Sequence, residues 1–273
     1  MPVVELTRQV TFASGHRYWR SDLTPAENEA LFGPIASPYN HGHNYTLEAT
    51  FAGEISPADG MVINIKTLDD MIRRQVTDEF NGKSINDEVA HFASASPSLE
   101  NLLHYISRKL DPPAEARLTS LLLREMPDLW GAWRADQPTM ISLTRSYEFA
   151  ASHRLHIAAL SDAENQELFG KCNNRNGHGH NYILEVTVTG EPDATTGWIC
   201  DLLALDEVVN ARVVDRYDHK SLNEDIPEFA GLNPTSEVVA QVIFDRLRGQ
   251  TPAKLAEVRL WETARSAFTV RDS

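Results

Sequence analysis

Residues 3–12 alternate apolar and polar side chains, the period of a strand with one covered face, and they deliver His16 just beyond the strand's end. Ile141, Leu143, Arg145, Tyr147 and Phe149 repeat that alternation on the way to His153. Each first strand leads into an excursion with a short helix, started by Thr24-Pro25 in one place and by Ser161-x-x-Glu164 in the other. A second strand runs from His41 through Leu47, Ala49 and Phe51, or from His178 through Leu184, Val186 and Val188, and turns at Gly53 or Gly190. We expect a third strand, hairpinned to the second, at residues 61–65 and 198–202. Leu68, Met71, Ile72 and Val76 then share one helical face, as do Leu205, Val208, Val209 and Val213. A second helix is predicted over 98–110 and 235–247, with Glu100 or Glu237 in its first turn, and a closing strand over 118–125 and 255–262. Residues 126–137, with Pro127 and Gly131 inside and Pro138 after them, read as a connector that Trp130 and Trp133 dock against a domain.

These elements are one series written twice. The histidines are offset by 153 − 16, 178 − 41 and 180 − 43, each 137, and LTR, LFG and HGHNY recur at the same offset without a gap. So long a period marks duplication of a whole domain, because solenoid units repeat every few tens of residues. The pattern predicts an α+β protein of two tandem domains, 1–126 and 139–273, joined by the connector 127–138. Each domain should be a four-stranded antiparallel sheet with two helices on one face.

At 273 residues and 42% hydrophobic content, the chain can bury two cores. Neither the opening MPVVELTRQV nor any later stretch is a long uncharged apolar run, so we expect no signal peptide, no membrane span and a cytoplasmic location. Two cysteines, Cys172 and Cys200, are too few for a disulfide framework and fit free thiols in a reducing compartment. A formal net charge of −14 argues against nucleic acid or an anionic membrane as the main partner. Arg154, Lys171, Arg175 and Lys220 lie near the motifs and can meet an anionic substrate, but solvated surface charge explains them equally well.

The candidate chemistry sits in FGKCNNRNGHGHNY, residues 169–182. Two apart on a strand, His178 and His180 face one side and can share a metal ion, with His153 as third ligand. Three imidazoles and an open fourth position describe a catalytic zinc site better than a closed structural one, which usually carries thiolates. Cys172 is then a reactive group rather than a ligand. A lone His-x-His is more often a pair of half-exposed polar residues; its recurrence as His16, His41 and His43 is what lifts it above that reading. Cys200, on the expected third strand, reads as a packed structural thiol.

At the same offset Cys172 aligns with Ile35, and Asp218-His219 aligns with Asn81-Gly82. Thiol, imidazole and carboxylate are missing together from the first half, which implies that they act as one unit. His219 backed by Asp218 can serve as the base or cation that makes a thiolate. Glu125 and Glu262 match in both halves.

With ASHRLH, LFGKCNNRNGHGHNY, YDHKSLN, NPTSE and WET in order between Tyr147 and Thr263, the second half resembles the family of 6-pyruvoyl-tetrahydropterin synthase and 6-carboxytetrahydropterin synthase. That resemblance implies the T-fold, or tunnelling fold, assembled as trimeric rings that commonly pair into hexamers, and action on 7,8-dihydroneopterin triphosphate. It makes His153, His178 and His180 the zinc ligands, Cys172 the general base, Asp218 and His219 its partners, and Glu262 the pterin anchor. His16, His41 and His43 are then a possible second zinc site in a degenerate copy, where Glu125 can still hold a pterin. The five residues between Cys172 and His178 favour the pyruvoyl type. The carboxy type, which feeds 7-deazaguanine and queuosine synthesis, and a non-catalytic zinc or pterin binder stay open. Because the family places its sites between subunits, we expect a homo-oligomer, preferably a homotrimer with three C-terminal halves in one ring and three N-terminal halves in another.

Overall fold

A computed structural model describes residues 2–272. By contacts the chain divides into two compact units, Met1–Leu143 with Gly190–Ile199, and Thr144–Thr189 with Cys200–Ser273.

In the first unit the alternating stretch forms β1 (Val3–His16), which pairs antiparallel with β2 (His41–Glu54). The two-residue β3 (Lys83–Ser84) lies parallel to the end of β1. β4 (Ala116–Met126) pairs with β2, and β5 (Leu129–Arg134) pairs with β4. In the second series the counterparts are β6 (Ile141–His153), β7 (His178–Gly190), β8 (Lys220–Ser221), β9 (Lys254–Thr263) and β10 (Ser266–Arg271). Within the first unit the strands run in the order β5-β4-β2-β1-β3, and within the second in the order β10-β9-β7-β6 with β8 on β6, so each expected four-stranded sheet carries four long strands and a two-residue one besides.

Two expectations change within each unit. Residues 61–65 and 198–202 form no strand; the chain bends there and enters a helix capped by Asn64 or Asp201, whose side chain accepts the N–H of Lys66 or Leu203. Cys200 therefore lies in a bend, half-buried, and not on a third strand. The fourth long strand comes instead from the segment read as a connector, as β5, and from β10 after the closing strand. Gly131 interrupts nothing in β5: a Cβ there would press on Leu103 at 2.8 Å, so glycine lets the strand pass close beneath a helix.

Alternation sets which face is covered. Phe12, Ser14 and His16 on β1, with Tyr45, Leu47, Ala49 and Phe51 on β2, are buried under Leu68, Ile72, Val76 and Phe80 from one helix and Leu102, Leu103 and Ile106 from another. The second unit repeats this with Phe149, Ala151 and His153 beneath Val209, Val213, Ile243 and Phe244. Both first histidines thus stand at the end of an apolar row, held by the packing that holds the sheet. In each half the first covering helix passes through a five-residue π turn, Arg73–Thr77 or Asn210–Val214, before the residues that lead to Asn81 or Asp218.

The excursion helices, Pro25–Phe32 and Asp162–Phe169, have complete capping boxes at Thr24/Glu27 and Ser161/Glu164. A feature absent from the sequence reading fixes both excursions. Buried Asn165 donates to the carbonyls of Ile157, Leu160 and Ser161 and accepts the Ile157 N–H at 2.8 Å; Asn28 makes the same set with Arg20, Leu23 and Thr24. Asn165→Ala strands buried backbone groups and should lower the unfolding free energy by about 2–4 kcal/mol, measured by urea denaturation. A loss below that of an exposed asparagine would contradict the assignment.

Candidate metal centre

Strand register builds the histidine clusters. His16 lies directly opposite His41 across β1 and β2, while His43 lies opposite Ser14, two residues along the same face. The ligand nitrogens of His16, His41 and His43 all lie within 4.8 Å of one another, and so do those of His153, His178 and His180.

Buried His16 and His153 each use Nδ1 on a backbone carbonyl, Pro97 at 3.0 Å and Pro234 at 2.8 Å. A carbonyl only accepts, so Nδ1 carries the proton and Nε2 is left with its lone pair turned into the cluster. His153 Nε2 meets His178 Nε2 at 3.3 Å, and the Nε2 atoms of His16, His43 and His180 are buried with no hydrogen-bond partner. Burial favours the neutral ring. It holds His16 down to about 3 and His43 down to about 4, with the neighbouring imidazoles adding to both, and it lowers His41, His178 and His180 as well. Orphaned lone pairs that converge on one point, on rings kept unprotonated, fit a divalent metal with nitrogen preference.

Beside each cluster stands the closing-strand glutamate. Glu125 Oε1 lies 3.6 Å from His43 Nε2, and Glu262 Oε1 lies 3.7 Å from His180 Nε2. Ser236 donates to Glu262 at 2.7 Å; its twin by the offset is Leu99, so the first half lacks that hydroxyl. Burial, with the Glu100 charge adding, pushes Glu125 up to about 7.

The remaining candidates occupy two places. Cys172 is half-buried in the turn Gly170–Asn173, tied to the segment just past β6, where its carbonyl accepts the Leu155 N–H at 2.9 Å. Burial, with the charge of Glu262 and then Cys172 adding, raises the Tyr182 phenol above its ordinary value. Asp218 and His219 stand together on the edge of β6. Asp218 Oδ2 accepts from His219 Nδ1 at 2.7 Å, and Oδ1 accepts the Ala150 N–H at 2.7 Å. These bonds hold Asp218 below the usual carboxylate range. His219 and His180 line one open hollow of about 320 Å³. Among the described residues no hydrogen bond or ion pair joins Asp218-His219 to Cys172.

The first half shows what the fold alone requires at that edge. Asn81 Oδ1 accepts the Ala13 N–H at 3.0 Å, as Asp218 does for Ala150, and the Gly82 N–H donates to the Ala13 carbonyl at 2.7 Å, as His219 does to Ala150 at 2.6 Å. Both second residues have positive φ, +75° at Gly82 and +58° at His219. Glycine takes that conformation freely, whereas for histidine it costs about 1–2 kcal/mol. His219 is 84% exposed as a side chain, so no packing offsets the strain. His219 thus keeps a backbone strain that its glycine twin avoids.

Sequence reasoning missed Ser236 and the two proline carbonyls. The repeat could have found the latter, since Pro97 and Pro234 are 137 apart.

An α+β chain that folds twice around a three-histidine centre is a duplicated metal-centre protein. The model of the 6-pyruvoyl tetrahydropterin synthase family matches residues 5–136 and again 142–273, and the chain belongs to that family in both halves. It is 44% identical over 137 residues to 6-pyruvoyl tetrahydrobiopterin synthase of Drosophila melanogaster, covering 50% of this chain and 82% of that protein. The human protein of that name is 46% identical over 122 residues, 44% of this chain and 84% of its own. Dihydroneopterin monophosphate aldolase of Pyrococcus furiosus is 40% identical over 87 residues, 31% of this chain and 69% of its own. The solved 6-pyruvoyl tetrahydropterin synthase of Caenorhabditis elegans, 43% identical, covers 49% of this chain and 96% of its own at a TM-score of 0.47.

Two outcomes follow. Elemental analysis should find two metal ions per chain, falling to one in His178→Ala; two ions in that variant would contradict the ligand set. His219→Gly should match the wild type in unfolding free energy or exceed it by about 1 kcal/mol. A clear loss in urea denaturation would give His219 a structural role instead.

Proposed function

We propose that the protein is a zinc-dependent lyase of the 6-pyruvoyl-tetrahydropterin synthase type, acting on 7,8-dihydroneopterin triphosphate at the C-terminal centre. The observation that carries this reading is the difference between the halves. Both hold three converging imidazoles and a glutamate, but only the second adds a thiol six residues before its His-Gly-His and an Asp-His pair kept at a backbone angle that glycine would adopt without strain.

His153, His178 and His180 would hold the zinc, which would polarise the hydroxyls of the substrate side chain and acidify the C–H beside them. Cys172 as thiolate takes that proton. His219, its ring oriented by Asp218, returns a proton elsewhere on the side chain or ring as triphosphate leaves. Glu262, steadied by Ser236, accepts hydrogen bonds from the amino and ring N–H groups of the pterin and so selects that ring. The N-terminal half, with Ile35, Asn81 and Gly82 at the matching positions, performs no turnover. We assign it a second zinc at His16, His41 and His43.

Among the described residues no hydrogen bond or ion pair joins Cys172 to Asp218-His219 of its own chain, and we propose that a second chain completes the working site. A homo-oligomer, with the homotrimer as the preferred form, supplies it. Cys172→Ala should abolish turnover while zinc content and thermal unfolding stay at wild-type values; loss of zinc would show that the thiol is a ligand. Cys172→Ala and His219→Ala chains, each inactive, should regain activity when dissociated and reassembled together. If mixed oligomers form and stay inactive, the shared site is refuted.

A further inference from the structure

Residues 193–199, just past β7, form a tight loop that belongs to the same compact unit as the N-terminal half and packs against it. The Trp198 indole stands edge-on to Tyr18 at 5.4 Å and to Phe32 at 5.6 Å between ring centroids. The Ile199 N–H donates to Glu100 Oε1 at 3.0 Å, and Ser98, the cap of helix Leu99–Lys109, donates its hydroxyl to the Gly197 carbonyl at 2.7 Å. Gly197, at φ +77°, has the Ser98 hydroxyl 2.8 Å from where a Cβ would stand, so glycine is what lets the loop come this close.

The offset of 137 supplies both sides of this contact a second time. In the twin loop, residues 56–62, the Gly60 N–H donates to the Ser56 carbonyl at 2.8 Å and the Ser56 N–H to the Met61 carbonyl at 2.8 Å. Gly197, Asp193 and Trp198 make the same two bonds at 2.8 and 2.9 Å, and Gly60 has φ +74° beside the +77° of Gly197. The twin loop therefore already has the backbone of the docked one, fixed by its own turn bonds, and needs no reordering to bind. The receiving face is repeated as well. Thr235 caps helix Ser236–Leu247 by accepting the Val238 N–H, as Ser98 accepts that of Asn101, and its hydroxyl keeps a proton to donate. Glu237 stands for Glu100, and its carboxylate has no hydrogen bond or ion pair with any described residue of its own chain. Leu155 and Phe169 stand for Tyr18 and Phe32, and Met61 for Trp198, so an apolar side chain again faces an apolar pair.

We propose that residues 56–62 of one chain dock on Leu155, Phe169, Thr235 and Glu237 of a second copy, in the way residues 193–199 dock within each chain. Thr235 donates to the Gly60 carbonyl, Glu237 accepts the Val62 N–H, and Met61 lies on Leu155 and Phe169. Since Glu237 finds no partner in its own chain, the loop comes from another copy. The contact is heterologous, a loop of one chain on a helix start of the next, so it continues from chain to chain and closes into a ring. Ser236, between the two polar docking residues, donates to Glu262 at 2.7 Å, and the second chain thus grips the helical turn that positions this carboxylate. The contact does not depend on what the C-terminal centre binds.

Photo-crosslinking of the full-length protein, with p-benzoylphenylalanine in place of Met61, tests this without any substrate. Irradiation should give a product of twice the chain mass on a denaturing gel, with the crosslink mapped by mass spectrometry to Leu155, Phe169 or residues 235–238 of the second chain. The same probe in place of Trp198 should leave the mass unchanged and link to Tyr18 or Phe32 of its own chain. Crosslinks from position 61 that stay within one chain, or that fall elsewhere on the second, would overturn the proposal, and so would a monomer in analytical ultracentrifugation. Amide hydrogen exchange checks the contact with every loop residue in place. Val62 should be protected in the wild type and lose that protection in Glu237→Ala, while Ile199 keeps its own in both proteins. Equal exchange at Val62 in the two proteins would overturn the contact and leave the lyase reading untouched.

Discussion

Three imidazoles whose free nitrogens point at one another are tolerable only if something positive stands between them. In each half the sheet forces that arrangement, because the histidines sit at the end of buried apolar rows and Pro97 or Pro234 fixes the tautomer of the deepest ring. Protonation is the other way to satisfy the lone pairs, and burial opposes it, holding His16 at about 3. The strands, the covering helices and the proline turns therefore serve one constraint, which is to keep neutral nitrogen ligands converged in a dry place.

The two halves have kept this constraint and parted over the chemistry beside it. Asn81-Gly82 shows that the edge of the sheet needs a side-chain acceptor and a residue of positive φ, and nothing more. Asp218-His219 meets the same need with a carboxylate and a strained imidazole. Likewise Glu100 and Glu237 begin the same helix, but only Glu100 is buried on a backbone N–H. Duplication thus separates what the fold requires at these positions from what it leaves free to vary.

Much of this was legible in the sequence, for a physical reason. Alternation, helical spacing and capping boxes are local, and the offset of 137 carried the ligands from one half to the other. What the sequence hid is non-local. Gly131 reads as a breaker but lies in a strand because a helix presses on it, and residues 61–65 look strand-like but bend to reach the Asn64 cap. The left-handed backbone of His219 has no signature in a histidine codon, although its glycine twin hints at it. The docking of Trp198 on Tyr18 joins residues 180 apart in sequence (198 − 18), and no period predicts that.

In the proposed reaction the C-terminal centre breaks a C–O bond and keeps the pterin side chain whole. The direct test is to incubate the zinc-loaded protein with 7,8-dihydroneopterin triphosphate and identify both products by mass spectrometry. Release of inorganic triphosphate with a pterin that retains every side-chain carbon is the predicted result. Acetaldehyde and a shortened pterin, or no consumption of substrate by protein that holds its metal, would contradict it.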